Sequence, residues 1–128
     1  MGQKSQILVD TDIIIKVYRG HKDYKHAFEK EKSNLAVSAI TYLELLYGLK
    51  TRRRIIDLHK QMKAFNIIQL SESISLKGLE IANKHGVSNS IKPADALIAA
   101  TALVMNLLIF TDNQQDFNFI KDIRFYKS

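Results

Sequence analysis

The chain has 128 residues, with 19 Lys plus Arg against 13 Asp plus Glu for a formal net charge of +6, 46% hydrophobic residues and no cysteine. Without cysteine, disulfides, thiolate catalysis and cysteine-ligated zinc are excluded, and no apolar run approaches the roughly 20 residues needed to span a bilayer. The length fits a single domain over residues 1–128, and the basic excess points to nucleic acid or another polyanion as partner. The N-terminal MGQKSQILVD lacks the long apolar stretch of a signal peptide, so a soluble cytoplasmic protein is expected.

Taken in chain order, Gln6 to Val9 reads as a short buried strand running into Asp10. Ile13, Ile14, Val17 and Tyr18 recur at helical spacing up to Gly20, and a charged helix is expected over Tyr24 to Lys32. A strand at Leu35 to Val37 leads to Ser38, an N-cap for a helix from Ala39 to about Leu49. Lys50 to Asn66 reads as another helix, opening on Arg52, Arg53 and Arg54, before a very short strand at Ile67 and Ile68. Ser71 caps a helix from Glu72 to His85, whose last turn carries Lys84 and His85 and whose C′ position falls on Gly86. Pro93, the only proline, fits the first turn of a helix reaching about Met105. Leu107 to Phe110 is a further buried strand, followed by a helical piece over Gln114 to Phe119 and a last strand near Ile123 to Tyr126. Short apolar strands alternating with helices imply an α/β fold, with a mostly parallel central sheet covered by helices on both faces.

Five carboxylates stand where these apolar runs end or turn: Asp10, Glu44, Asp95, Asp112 and Asp116. An acid beside a core is costly unless something compensates it, and a divalent cation held by several oxygens does so. In open α/β sheets ligands bind beyond the carboxyl ends of the strands, where Asp10 and the Asp112–Asp116 pair should lie. Asp95 falls in a first helical turn, where the helix dipole favours the ionised form. Glu44 shares a helix face with Ile40 and Tyr47, which is expected to look inward, with Gly48 leaving room beside it. Each acid alone has a plain structural reading as a cap, a dipole partner or a solvated residue; their convergence is what points to chemistry. Clustered carboxylates repel, and one or two Mg²⁺ or Mn²⁺ ions would relieve that repulsion and support in-line phosphoryl displacement. His21, His26, His59 and His85 have no metal-ligand spacing and are read as surface residues.

The segments LVDTDIII, SAITYLELLYGL, PADALIAATAL and IFTDNQQDF, in this order from Ile7 to Phe117, resemble PIN-domain ribonucleases, and most closely the VapC-type toxins of toxin–antitoxin pairs. The resemblance implies a three-layer α/β/α fold, an acidic pocket binding Mg²⁺ or Mn²⁺, and endonucleolytic cleavage of RNA. It places the catalytic acids on Asp10, Glu44, Asp95 and Asp116, with Asp10, Asp95 and Asp116 as metal ligands. Many members carry Thr-x-Asp after the strand; here Asn113 takes the third position, and Asp116 before Phe117 fits a second version of the motif. Thr111, Asp12, Asp112 and Asn113 then surround the pocket, Asp12 standing where a small polar residue is usual. The resemblance also implies an antitoxin partner and a toxin homodimer.

Arg52, Arg53, Arg54 and Lys16 are candidates for RNA phosphate contacts, which supply affinity without reading sequence. Two other functions compete with this one. A haloacid-dehalogenase-like phosphotransferase would share the Asp-x-Asp spacing of Asp10 and Asp12, but the chain is short and lacks a convincing lysine motif. A non-catalytic RNA- or protein-binding module would keep the fold, although four placed acids argue against a dead site.

Overall fold

The computed structural model describes residues 6–128; residues 1–5, the start of the segment read above for a signal peptide, lie outside the described residues. Four strands, β1 (Ile7–Val9), β2 (Leu35–Ser38), β3 (Asn66–Ile68) and β4 (Leu108–Phe110), form a parallel sheet of order β3-β2-β1-β4. Six helices connect them: α1 (Thr11–Tyr18), α2 (Lys22–Lys30), α3 (Ala39–Tyr47), α4 (Arg52–Met62), α5 (Glu72–His85) and α6 (Pro93–Met105). The chain steps outward from β1 to β3 on one side, then crosses back so that β4 pairs with β1 on the other. Ile7, Leu8 and Val9 lie opposite Leu108, Ile109 and Phe110. That reversal puts the switch point between the carboxyl ends of β1 and β4.

Successive strand residues face opposite sides of the sheet, and the two cores divide accordingly. Leu8, Ala36, Ile68 and Ile109 join Ile74 and Ile81 of α5 and the alanines of α6 in one core. Ile7, Val9, Val37 and Phe110 join Ile13, Ile14, Ala27, Leu58 and Met62 in the other. The three-layer α/β/α architecture is therefore the observed one. Gly78 of α5 lies so close to α6 that an added Cβ would stand 3.0 Å from Leu97 Cδ2, which explains the run of small residues at this contact. Among the described residues, no helix is long and apolar enough to cross a membrane.

Four local readings change. Gly86 is right-handed at φ −63°, so it serves by leaving space, an added Cβ meeting Ala82 O at 2.6 Å, and not by a left-handed backbone; the left-handed cap is Asn106 at φ 58°, which closes α6 through its N–H to Ala102 O. The last strand reduces to a single bridge between Phe125 and Ile109. The helical piece after β4 is one 3-10 turn, Gln114–Asp116. His85 is buried, at 9% exposure, with its ring 4.9 Å from that of Phe119 and Nδ1 bonded to Asn89 Oδ1 at 2.9 Å. Its position continues the buried stripe Ile74, Gly78, Ile81 at helical spacing.

Candidate active site

Asp10 ends β1 and caps α1, accepting from Thr11 N–H at 2.9 Å. Its other oxygen accepts from the Thr111 hydroxyl at 2.8 Å, so one carboxylate joins the ends of the two strands at the switch point. At 7% exposure its pKa is pushed up to about 7, first by burial and then by the charge of Asp12, against the Thr111 and Thr11 hydrogen bonds, which lower it. Asp95 also raises it, which puts the first turn of α6 within electrostatic reach of β1.

Asp95 is half-buried, and its pKa is pushed up to about 6. Burial is the largest cause and Asp116 the next, with Glu44 and Asp12 adding to it against the lowering effect of Lys92. The helix dipole alone would favour the ionised form; desolvation and neighbouring carboxylates outweigh it. The sequence-predicted acids Asp10, Glu44, Asp95 and Asp116 thus share one electrostatic neighbourhood, centred on Asp95.

Glu44 reaches this neighbourhood differently from the inward-facing arrangement expected of it. It is exposed on α3, and Tyr47 on the same face is 85% exposed. What turns Glu44 towards the pocket is Thr11, whose hydroxyl donates to Oε1 at 2.9 Å and meets the buried Thr41 hydroxyl at 3.2 Å. Thr11 and Thr41 escape detection by hydropathy because a threonine in a first helical turn reads as an ordinary helix start. Their signal lies only in adjacency, Thr11 following Asp10 and Thr41 one turn before Glu44.

The loop after β4 separates its two acids. Asp112 turns outward to Lys16 and the Tyr24 hydroxyl, and both contacts hold its pKa below the usual carboxylate range. Lys16 is consequently committed to Asp112, with its ammonium 5.6 Å from the Tyr24 ring centre, instead of standing free for phosphate. Asp116 ends the 3-10 turn, held in place by Phe117, which is fully buried. Asn113 donates through Nδ2 to Asp12 Oδ2 at 3.0 Å. Arg52, Arg53 and Arg54 are all exposed in the first turn of α4, and Arg54 lines a cleft of about 620 Å³ whose wall includes Thr11, Glu44, Tyr18 and Arg19.

The donor set of Asp10, Asp95, Asp116 and Glu44 is all carboxylate oxygen, the chemistry hard divalent cations take. Among the described residues, no three acidic, histidine or cysteine side chains are close enough to hold one ion as they stand. The fit is therefore one of donor type and convergence, in a site where the carboxylates repel.

A parallel sheet with carboxylates gathered at its switch point, two of them shifted by burial and mutual charge, defines an α/β domain with an acidic pocket at the strand ends. The chain belongs to the PIN-domain family, which matches residues 7–121. It is 29% identical over 125 residues to Ribonuclease VapC1 of Methanocaldococcus jannaschii, covering 94% of this chain and 85% of that protein. It resembles a solved toxin–antitoxin complex from Klebsiella pneumoniae with a TM-score of 0.79 at 29% identity, over 96% of this chain and 100% of that one. The fold is also that of DNA-bound VapBC from Salmonella typhimurium, with a TM-score of 0.84 at 21% identity over 95% and 97% of the two chains.

Proposed function

We propose that this protein is a divalent-cation-dependent endoribonuclease, acting as a single PIN domain and as the toxin of a toxin–antitoxin pair. The observation that carries the reading is the gathering of Asp10, Glu44, Asp95 and Asp116 around the switch point, with the two most buried of them raised to about 7 and about 6. Structural ion pairs would lower a carboxyl pKa; among the described residues no cation offsets the rise at Asp10 and only Lys92 opposes it at Asp95. A bound cation would relieve both rises, drawing the two carboxyls back towards the ionised form. The similar protein from M. jannaschii is named a ribonuclease, and the similar K. pneumoniae structure is a toxin–antitoxin complex; the RNA substrate and the antitoxin are read across to this chain on that basis, while the homodimer is proposed from the family resemblance and the cytoplasmic setting from the sequence.

Asp10, Asp95 and Asp116 would hold Mg²⁺ or Mn²⁺, which when bound supplies water activation and charge neutralisation at a phosphodiester. The protein's own groups prepare that chemistry. Thr111 fixes the orientation of Asp10, and Thr11 holds Glu44 on the rim, where a carboxylate can take a proton from an incoming water. Arg54 and Arg19 in the adjoining cleft, with Arg52 and Arg53 beyond, offer charge to the phosphates flanking the cut. The basic surface thereby offsets the repulsion that a cluster of carboxylates exerts on RNA.

The test is cleavage mapping on RNA by purified protein, with Mg²⁺ or Mn²⁺ and with excess EDTA. Discrete cuts that need the cation are expected. Undiminished cutting in EDTA would sink the metal mechanism, and RNA binding without any cutting would favour a non-catalytic module.

A further inference from the structure

Asp116 can act beside Asp95 only if the irregular segment Thr111–Asp116 is held in place. Its own bonds are local: Asp116 N–H donates to Asn113 O and Phe117 N–H to Gln114 O, each at 3.0 Å. Thr111 ties its start to Asp10 and the buried Phe117 anchors the chain just after it, and between these two points the tie to the pocket comes from Asp12. Its Oδ2 accepts from Asp112 N–H at 3.0 Å and from Asn113 Nδ2 at 3.0 Å, and Thr111 Oγ1 lies 3.4 Å away. Its Oδ1 accepts from Ile13 N–H at 2.8 Å, inside the first turn of α1. One half-buried carboxylate thus bridges the helix start that follows Asp10 and the segment that carries Asp116.

From this geometry we propose that Asp12 is a positioning residue, fastening the Thr111–Asp116 segment to α1 so that Asp116 is held on the side of the pocket where Asp95 stands. The proposal rests on the reading of the pocket given above and deepens it. A carboxylate is needed because its two oxygens serve separate elements, one the helix and one the segment, whereas an amide offers a single acceptor oxygen. The same contacts argue against Oδ2 of Asp12 as a ligand atom. An sp² oxygen has two lone pairs, and those of Oδ2 are taken by Asp112 N–H and Asn113 Nδ2. The outer anchor, Asp112 with Lys16 and Tyr24, grips the segment by one residue only. It leaves the Asn113 side chain to Asp12.

The experiment compares Asp12→Ala, Asn113→Asp and the reciprocal double variant Asp12→Asn with Asn113→Asp. Amide hydrogen exchange of residues 112–116 is followed in cation-free protein, Mn²⁺ binding by calorimetry, and RNA cleavage for kcat and KM, with circular dichroism checking the fold. Asp12→Ala is expected to speed exchange at residues 112–116 and to lower Mn²⁺ affinity and kcat by roughly 10–100-fold, the usual cost of losing a group that orients metal ligands. KM for RNA should not move, since the arginines are untouched. Asn113→Asp sets two carboxylates face to face and should lose as much. The double variant restores the side-chain donor–acceptor pair with its direction reversed but leaves Asp112 N–H without its acceptor, so it should recover Mn²⁺ affinity in part, above Asn113→Asp and below wild type. Unchanged exchange in Asp12→Ala overturns the proposal; if Mn²⁺ binding is lost at the same time, Asp12 is a ligand instead. A double variant as weak as Asn113→Asp also overturns it. The exchange measurement uses neither cation nor RNA, so it decides the positioning role even for a protein that cuts nothing.

Discussion

The two ends of α6 make different surfaces. Its first turn brings Asp95 to the acid pocket, while its last turn lines a larger cleft of about 890 Å³ with Lys84, His85, Lys121 and Arg124. Asp95 and Val104 are separated by about 14 Å of helix. In the larger cleft the polar groups are at ease: Arg124 donates to Asn106 Oδ1 at 2.8 Å, His85 is bonded to Asn89, and Lys77 pairs with Glu80 at 3.4 Å. In the pocket, Asp10 and Asp95 are kept where burial and like charge oppose their ionisation. Volume favours one end and chemistry the other. The fold retains unfavourable charge where something useful can relieve it.

The largest expected effect lies at the acid end. Asp10→Asn and Asp95→Asn should each cut RNA cleavage by roughly a thousand-fold or more, with the circular dichroism spectrum unchanged. Wild-type rates in either variant would break the comparison.

Stability should move the opposite way. Both carboxyls hold a proton to higher pH when folded, about 7 and about 6, than the unfolded value of 3.8. Their contribution to stability is therefore full below about pH 4 and is lost as pH rises through the folded values. Cation-free wild type and Asp10→Asn should have equal stability near pH 4, and the variant should lead by something on the order of 2–4 kcal/mol at pH 8. Urea unfolding at the two pH values checks this. No pH dependence of the difference would mean that Asp10 is not buried as described.

Within the β4 loop, Asp116→Asn should reduce kcat by roughly tenfold or more and Asp112→Asn by less, since Asp112 is spent on Lys16 and Tyr24. The reverse order would move the fourth acid to Asp112. Arg54→Glu should raise KM several-fold and flatten the salt dependence of RNA binding, with kcat little changed. The smallest effect belongs to the other end of α6: Lys84→Glu with Lys121→Glu should leave kcat and KM as they were. A loss there comparable to that of Arg54→Glu would show that the larger cleft also serves RNA.

Much of the fold was legible because hydrophobic period and capping agree. Ser71 and Glu72 to His85, and Pro93 to Met105, fall where turn chemistry and apolar spacing put them. The acids were legible for a related reason: a carboxylate ending an apolar run is expensive, so its presence is a signal. What failed needed three-dimensional information. The inward reading of Glu44 came from Ile40 and Tyr47, but α3 leaves Tyr47 in solvent, and it is Thr11, distant in sequence, that orients Glu44. Lys16 looked like a free cation because its partner Asp112 lies across the sheet switch. His85 is the exception: its place on the Ile74–Gly78–Ile81 stripe was readable, and the absence of metal spacing was mistaken for exposure. Asn106 took the left-handed cap because its short polar side chain tolerates that backbone nearly as glycine does.

Everything proposed for the pocket depends on the carboxylates at the β1–β4 switch point holding a divalent cation. Mn²⁺ binding measured by calorimetry on wild type, Asp10→Asn and Asp95→Asn tests it without reference to any RNA. Saturable binding to wild type is expected, lost or greatly weakened in both variants. Equal binding by all three proteins, or none by wild type, would contradict it.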